Sequence, residues 1–141
     1  MQRIVITADT TVPVDKLFAF LSEQENMARL FAPAKVTRLR DGDSSRNGVG
    51  SVRQVKIPLS PAIEETNTVF EENQRIEYRV TNKAAIKNHL GVMEFAPTAS
   101  GSQLRYTITF DGRVPLTGVL IKVALQATIK RNIAKLNDWL N

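Results

Sequence analysis

Apolar side chains take every second position between residues 3 and 9, with Ile4, Ile6 and Ala8 on one side of the alternation and Val5 and Thr7 between them. A period of two is the mark of a half-buried strand. Val12-Pro13-Val14-Asp15 ends it, and Asp15 is placed to cap a helix carrying Leu17, Phe18, Phe20 and Leu21. A second short helical piece, Asn26 to Leu30, stops before Pro33. From Lys35 to Phe110 the period is again two. Five apolar-alternating runs are separated by DGDSSRNGVG, PLSPA, EENQ, TNKAAIKN and PTASGS, all rich in turn-forming residues. In the tail, Leu116 to Leu140, the period changes once more. Ile121, Leu125, Ile129, Ile133, Leu136 and Leu140 recur at intervals of three and four, with Lys122, Gln126, Lys130 and Lys135 elsewhere on the circumference. The pattern predicts a strand, two short helices, an antiparallel meander and one long helix over residues 115–140. This is an α+β chain, with a curved antiparallel sheet covered on one face by its last helix, and residues 1–141 form a single domain.

The turns also predict a register. If PLSPA pairs Ile57 with Ile63, Val55 faces Glu65 and Arg53 faces Asn67. If EENQ pairs Val69 with Ile76, Asn67 faces Tyr78 and Glu65 faces Val80. A turn over 96–103 sets Phe95 beside Leu104, Met93 beside Tyr106, Gly91 beside Ile108 and His89 beside Phe110. Every apolar partner then falls on one face, whereas a slip of one residue would turn the whole set outward. Arg53, Glu65, Asn67, Tyr78, His89 and Tyr106 fall on that face too, among Val55, Ile57, Val69, Ile76, Val80, Met93, Phe95, Leu104, Ile108 and Phe110. Polar groups are costly in a dry core and fit better around a pocket with apolar walls and a few convergent polar side chains.

The composition removes several chemistries. There is no cysteine and a single histidine among 141 residues, so disulfides, thiolate metal sites and cysteine nucleophiles are excluded, and no zinc site or other cofactor is expected. No G-x-S-x-G elbow accompanies His89, and Gly48-Val49-Gly50 begins a strand rather than a helix, so it is a turn and no nucleotide fingerprint. The net charge is +5, but the arginines alternate with Asp and Glu and form no stripe, so nucleic acid is not an expected partner. The first fifteen residues lack a cationic start followed by an apolar core, and no run approaches a membrane span. A cytoplasmic location without stable membrane insertion is the expectation.

Several segments together resemble one family: VPVDKLFAFLSEQENMARLFAP after the first strand, GVGSVRQVKI, IEETNTVFEENQRIEYRV, and HLGVMEFAPTASGSQLRYTITF before the amphipathic tail. In these the chain is similar to the polyketide cyclase/dehydrase-like branch of the START and birch-pollen-allergen (SRPBCC) superfamily. The resemblance covers nearly the whole chain and implies a helix-grip fold with a deep cavity for lipids, polyketides or similar ligands. Its motifs are turn and core positions, so they specify fold better than activity.

Two functions share such a cavity: binding of a hydrophobic small molecule, and a cyclase or dehydratase reaction. A third reading is a protein-interaction module. The candidate ligand-binding residues are Arg53, Glu65, Asn67, Tyr78, His89, Met93, Tyr106 and Leu120. Arg53 and Glu65 are expected as diagonal neighbours, forming either an ion pair that orients a ligand oxygen or a pair at the open rim of the sheet. Tyr78 and Tyr106 either donate hydroxyls to a ligand or fill space. His89 is the candidate general acid or base, its alternative being a histidine at the strand mouth with one nitrogen in solvent. Leu116, Val119, Leu120, Ile121, Val123, Ala124 and Leu125 make the start of the last helix apolar almost all round. That segment is expected to be a gate or ligand-contacting wall, a dimer interface or a point of transient membrane contact. The chain is accordingly a monomer or homodimer.

Overall fold

The computed structural model describes residues 1–141. Seven strands form one antiparallel sheet: β1 (Gln2–Thr10), β2 (Lys35–Arg40), β3 (Val52–Lys56), β4 (Ile63–Glu71), β5 (Arg75–Val80), β6 (Ile86–Thr98) and β7 (Gly101–Gly112). Their order across the sheet is β1-β7-β6-β5-β4-β3-β2, so the chain closes back on its first strand and leaves β1 and β2 as the edges. Six strands thus lie between Lys35 and Gly112, not five, because five turn segments delimit six runs. β2 (KVTRLR) has only two apolar residues and carries its cations along a sheet edge.

Between β1 and β2 come α1 (Val14–Ser22), α2 (Gln24–Met27) and a 3₁₀ turn, Ala28–Phe31. Asp15 does not cap α1. Pro13 holds the cap position with extended backbone, and Asp15 lies in the first turn, where a carboxylate still favours the positive end of the helix dipole. Leu17, Phe18 and Leu21 bury one face of α1, and Phe18 sets its ring 5.3 Å from Phe70 and 5.0 Å from Phe95.

The tail is two helices rather than one: α3 (Thr117–Ile133) and α4 (Leu136–Leu140). At Ala134–Lys135 the chain tightens, and the Lys135 amide donates three residues back to Asn132 at 3.0 Å. The break re-aims the last turn. Leu136 enters the core, Asn137 accepts from the Thr11 amide at 3.0 Å, and Trp139 stacks on Phe20 with ring centroids 6.3 Å apart. Ile129, Ile133 and Leu136 are buried, as the helical stripe predicts.

The hairpin turns differ in how well they follow the expected register. β6 and β7 pair Gly91 with Ile108, Met93 with Tyr106 and Phe95 with Leu104 as expected, and continue to Thr98 opposite Gly101. Asn67 faces Tyr78 and Glu65 faces Val80, also as expected. The pairing differs at three places. The turn after β3 shifts its register by two, so Val55 faces Ile63 and Arg53 lies directly opposite Glu65 rather than diagonal to it. A bulge between Asn67 and Val69 sets Phe70, not Val69, beside Ile76 and against the core. A second bulge between Lys87 and Leu90 removes the expected pairing of His89 with Phe110. Asn88 absorbs it in the left-handed conformation at φ 53°, a region that Asn visits more readily than most residues.

On the surface, Glu23 and Glu25 of the α1–α2 junction hold Arg38 and Arg46. Arg38 Nη2 lies 2.7 Å from Glu25 and 3.1 Å from Glu23, and Arg46 Nη2 lies 2.9 Å from Glu23. Arg38 holds the Glu25 carboxyl well below the usual carboxylate range. This network pins the β2–β3 loop to the helices and consumes much of the positive charge there.

Candidate functional site

A cavity of about 330 Å³ lies between the sheet and α3 and opens to solvent. Val55, Ile63 and Ile108 form its apolar sheet wall, and Ile121, Ala124, Leu125 and Thr128 face them from α3. Phe31, Pro33 and Ala34 close one side, and the mouth lies by Ile57, Pro58 and Ser60 of the β3–β4 turn and Ala85 before β6. Glu65, Tyr78 and His89 are the polar side chains of its sheet wall. They come from three consecutive strands, β4, β5 and β6, so they stand side by side on the sheet wall.

Arg53 supports this polar group from behind. Its Nε donates to Glu65 Oε1 at 2.9 Å and its Nη1 to Asn67 Oδ1 at 3.3 Å. Its guanidinium carbon lies 4.5 Å from the centre of the Tyr78 ring. Asn67 in turn donates to the Asn47 carbonyl at 2.9 Å, tying the β2–β3 loop to the same cluster. The side chains of Arg53 and Glu65 are 2% and 9% exposed, so the pair is buried and the expectation of a pair at the open rim is corrected. Arg53 Nη2 finds no acceptor in the protein.

Tyr78 and Tyr106 share a hydrogen bond between their hydroxyls. Burial pushes both hydroxyls above the ordinary phenol range, with the neighbouring Tyr106 adding to the effect on Tyr78 and Glu65 to that on both, so both are protonated near neutrality. The Tyr78 ring lies against the backbone of Gly91, so close that a Cβ there would fall 2.2 Å from Tyr78 Cζ.

His89 is buried with its ring centroid 5.2 Å from that of Tyr78, and its Nδ1 accepts the Val80 amide at 3.1 Å. A nitrogen that accepts an amide hydrogen carries no proton itself, so the neutral ring bears its proton on Nε2. Burial lowers the His89 pKa. Arg53 and Arg79 act in the same direction and Glu65 opposes them. The unfolded chain therefore binds a proton on this residue at a higher pH than the folded one does, and stability contributed by neutral His89 is lost as pH falls below the unfolded value near 6.5. The urea midpoint should drop between pH 7.5 and pH 5.5 (about one unit either side of that value), and the drop should be absent from His89→Gln. Equal shifts for parent and variant would assign the acid sensitivity to other groups.

Of the residues expected around a ligand, Glu65, Tyr78 and His89 line the cavity, and five do not. Arg53 and Asn67 are spent on Glu65, Tyr78 and the Asn47 carbonyl behind the wall. Met93 is fully buried in the hydrophobic core, and Tyr106 lies beyond Tyr78 with its hydroxyl committed there. Leu120 is 72% exposed, because the inward stripe of α3 runs through Ile121, Ala124, Leu125 and Thr128. The apolar start of α3 therefore divides. One side is cavity wall, while Leu116, Val119, Leu120 and Val123 face solvent. Thr128, seven residues after Ile121, could have been found by helical spacing. Phe31, Pro33 and Ala34 carry no periodic signal that points to a cavity.

The family described as "Polyketide cyclase / dehydrase and lipid transport" matches residues 1–140. The chain belongs to this family. Solved structures repeat the helix-grip architecture. XoxI from Bacillus cereus superposes with a TM-score of 0.73 at 14% identity, over 99% of this chain and 96% of that one. The Zhui aromatase/cyclase of a Streptomyces species gives 0.70 at 18% identity over 99% and 90%. A norcoclaurine synthase point mutant from Thalictrum, in complex with a transition-state analogue, gives 0.70 at 15% identity over 96% and 93%. At these identities the likeness establishes fold and not chemistry. No curated protein matches the chain. No helix is long and apolar enough to cross a membrane.

Proposed function

We propose that this member of the family binds a hydrophobic small molecule, a lipid, a polyketide or a compound of similar character, in the cavity between sheet and α3. The observation that carries this reading is the make-up of the cavity. About 330 Å³ of space is walled by apolar side chains, with Glu65, Tyr78 and His89 grouped on one wall. That volume is at the lower end of small-molecule sites, which suits a compact ligand better than a long lipid.

A cyclase or dehydratase role built on His89 as a base receives less support. The lone pair of Nδ1 is already used by the Val80 amide, and Nε2 carries the proton. As an acid, His89 would have to be protonated, which its burial opposes. Glu65 is the one carboxylate on the cavity surface and would have to serve as any base.

A compact apolar ligand should raise the melting temperature, since a ligand at about 100 times its Kd that binds only the folded state stabilises it by about 2.7 kcal/mol. Ala124→Phe, which fills the cavity from α3, should abolish the shift. A set of apolar compounds none of which moves the parent's melting temperature would refute the reading. Native mass spectrometry of freshly purified protein would reveal a co-purifying ligand directly.

A further inference from the structure

The polar group on the cavity wall has an asymmetry that restricts what a ligand can present to it. Glu65 offers acceptor capacity only: its Oε1 already accepts from Arg53 Nε at 2.9 Å, and its Oε2 receives no hydrogen bond from the protein. His89 offers a donor only, because its Nδ1 accepts the Val80 amide at 3.1 Å and its proton is on Nε2, which has no partner in the protein. The Tyr78 hydroxyl is already shared with Tyr106. Glu65 faces Val80 across β4 and β5, and Val80 is the residue whose amide His89 holds, so acceptor and donor are neighbours on one wall.

We propose that the ligand's polar end is a neutral hydroxyl group, that of a phenol, enol or alcohol, which donates to Glu65 and accepts from His89. This rests on the binding reading given above and specifies its chemistry. A hydroxyl is both donor and acceptor, so a single oxygen satisfies both wall groups. A ketone or ether oxygen satisfies His89 but turns lone pairs toward the Glu65 carboxylate. A carboxylate ligand adds a second anion beside Glu65, whose charge Arg53 already balances, and leaves the cavity with a net charge in apolar surroundings. An alkylammonium adds an uncompensated cation near Arg53 and leaves the His89 donor without an acceptor. Arg53 is no carboxylate reader here, since its Nε and Nη1 are directed at Glu65 and Asn67, and its unpaired Nη2 is buried on a side chain that does not line the cavity.

The test is a series with one bicyclic body and different polar ends, measured on the full chain by titration calorimetry at pH 7: naphthalene, 2-naphthol, 2-methoxynaphthalene, 2-naphthoate and 2-(aminomethyl)naphthalene. A hydrogen bond to a charged group corresponds to about tenfold in affinity or more. Accordingly 2-naphthol should bind at least about tenfold more tightly than naphthalene and 2-methoxynaphthalene, and 2-naphthoate and the amine should bind more weakly than naphthalene. Equal affinity of 2-naphthol and 2-methoxynaphthalene would overturn the hydroxyl assignment while leaving the cavity a binding site, and so would 2-naphthoate or the amine binding more tightly than 2-naphthol. If no member of the series binds, naphthalene included, the binding reading fails and the hydroxyl assignment with it. Because the series varies the ligand and not the protein, no outcome depends on whether a variant folds.

Discussion

Glu65→Leu should destabilise the fold by about 3–5 kcal/mol, measured as the loss in unfolding free energy by urea titration. The change leaves the Arg53 guanidinium buried at 2% exposure, with Nη2 already lacking an acceptor and now Nε as well. Only the Asn67 oxygen at 3.3 Å and the face of Tyr78 would remain to it. Adding Arg53→Met should recover most of the loss, since replacing both partners of a buried pair by apolar groups is often near neutral. The double-mutant cycle separates the pair's own interaction from the cost of an orphaned charge. A Glu65→Leu protein within about 0.5 kcal/mol of the parent, the range of ordinary surface substitutions, would mean that Arg53 relaxes to solvent and that the cluster is not the fixed support of the cavity wall described above.

Gly91→Ala is expected to cost about 3 kcal/mol, the upper end of overpacking penalties, and to weaken cavity ligands at the same time. The added carbon would meet Tyr78 Cζ at 2.2 Å and Cε1 at 2.4 Å, far inside contact distance. A flexible, exposed side chain could move aside cheaply. Tyr78 cannot, because it is 1% exposed, with the guanidinium of Arg53 against its ring and its hydroxyl bound to Tyr106. Since Tyr78 also forms part of the cavity surface, its displacement must alter the cavity. Denaturation and ligand titration on the same variant test both effects, and an alanine variant as stable as the parent would show that the ring has room to retreat.

How far the residues foretold this arrangement depends on what kind of signal each feature leaves in the chain. Alternation of apolar and polar positions placed the strands, and it brought Glu65, Tyr78 and His89 to the correct face, because side-chain direction follows from parity alone. Even the error of two positions in the β3–β4 turn preserved that parity, which is why Arg53 stayed on the inner face although its partner changed. Bulges do not preserve it. One extra residue near Thr68 exchanged Phe70 for Val69, and another at Asn88–His89 removed the expected neighbour of His89 while freeing its ring to turn to the Val80 amide. Nothing in the sequence around either position marks it as a place where the ladder slips. The break at Ala134–Lys135 was hidden for a related reason: both residues are compatible with helix, and the interruption is imposed by the tertiary contacts of Leu136, Asn137 and Trp139. Whether an inward-facing group touches the cavity or lies behind its wall was equally illegible, since that depends on how side chains of adjacent strands stack over one another.

The outer edge of β2 bears on behaviour at high concentration. A strand with one unpaired side can recruit the same strand of a second molecule, and an antiparallel merger of two such edges would extend one sheet into the next. Here that merger would press Lys35 and Arg40, both exposed, against the same cations of the other copy. The irregularity between Arg38 and Arg40 would also throw the two ladders out of step after a few residues. Charge and geometry thus both oppose sheet-to-sheet polymerisation at this edge. Crowded solutions of the protein should accordingly resist fibril growth through β2, and neutralising Lys35 and Arg40 would remove the electrostatic half of that protection.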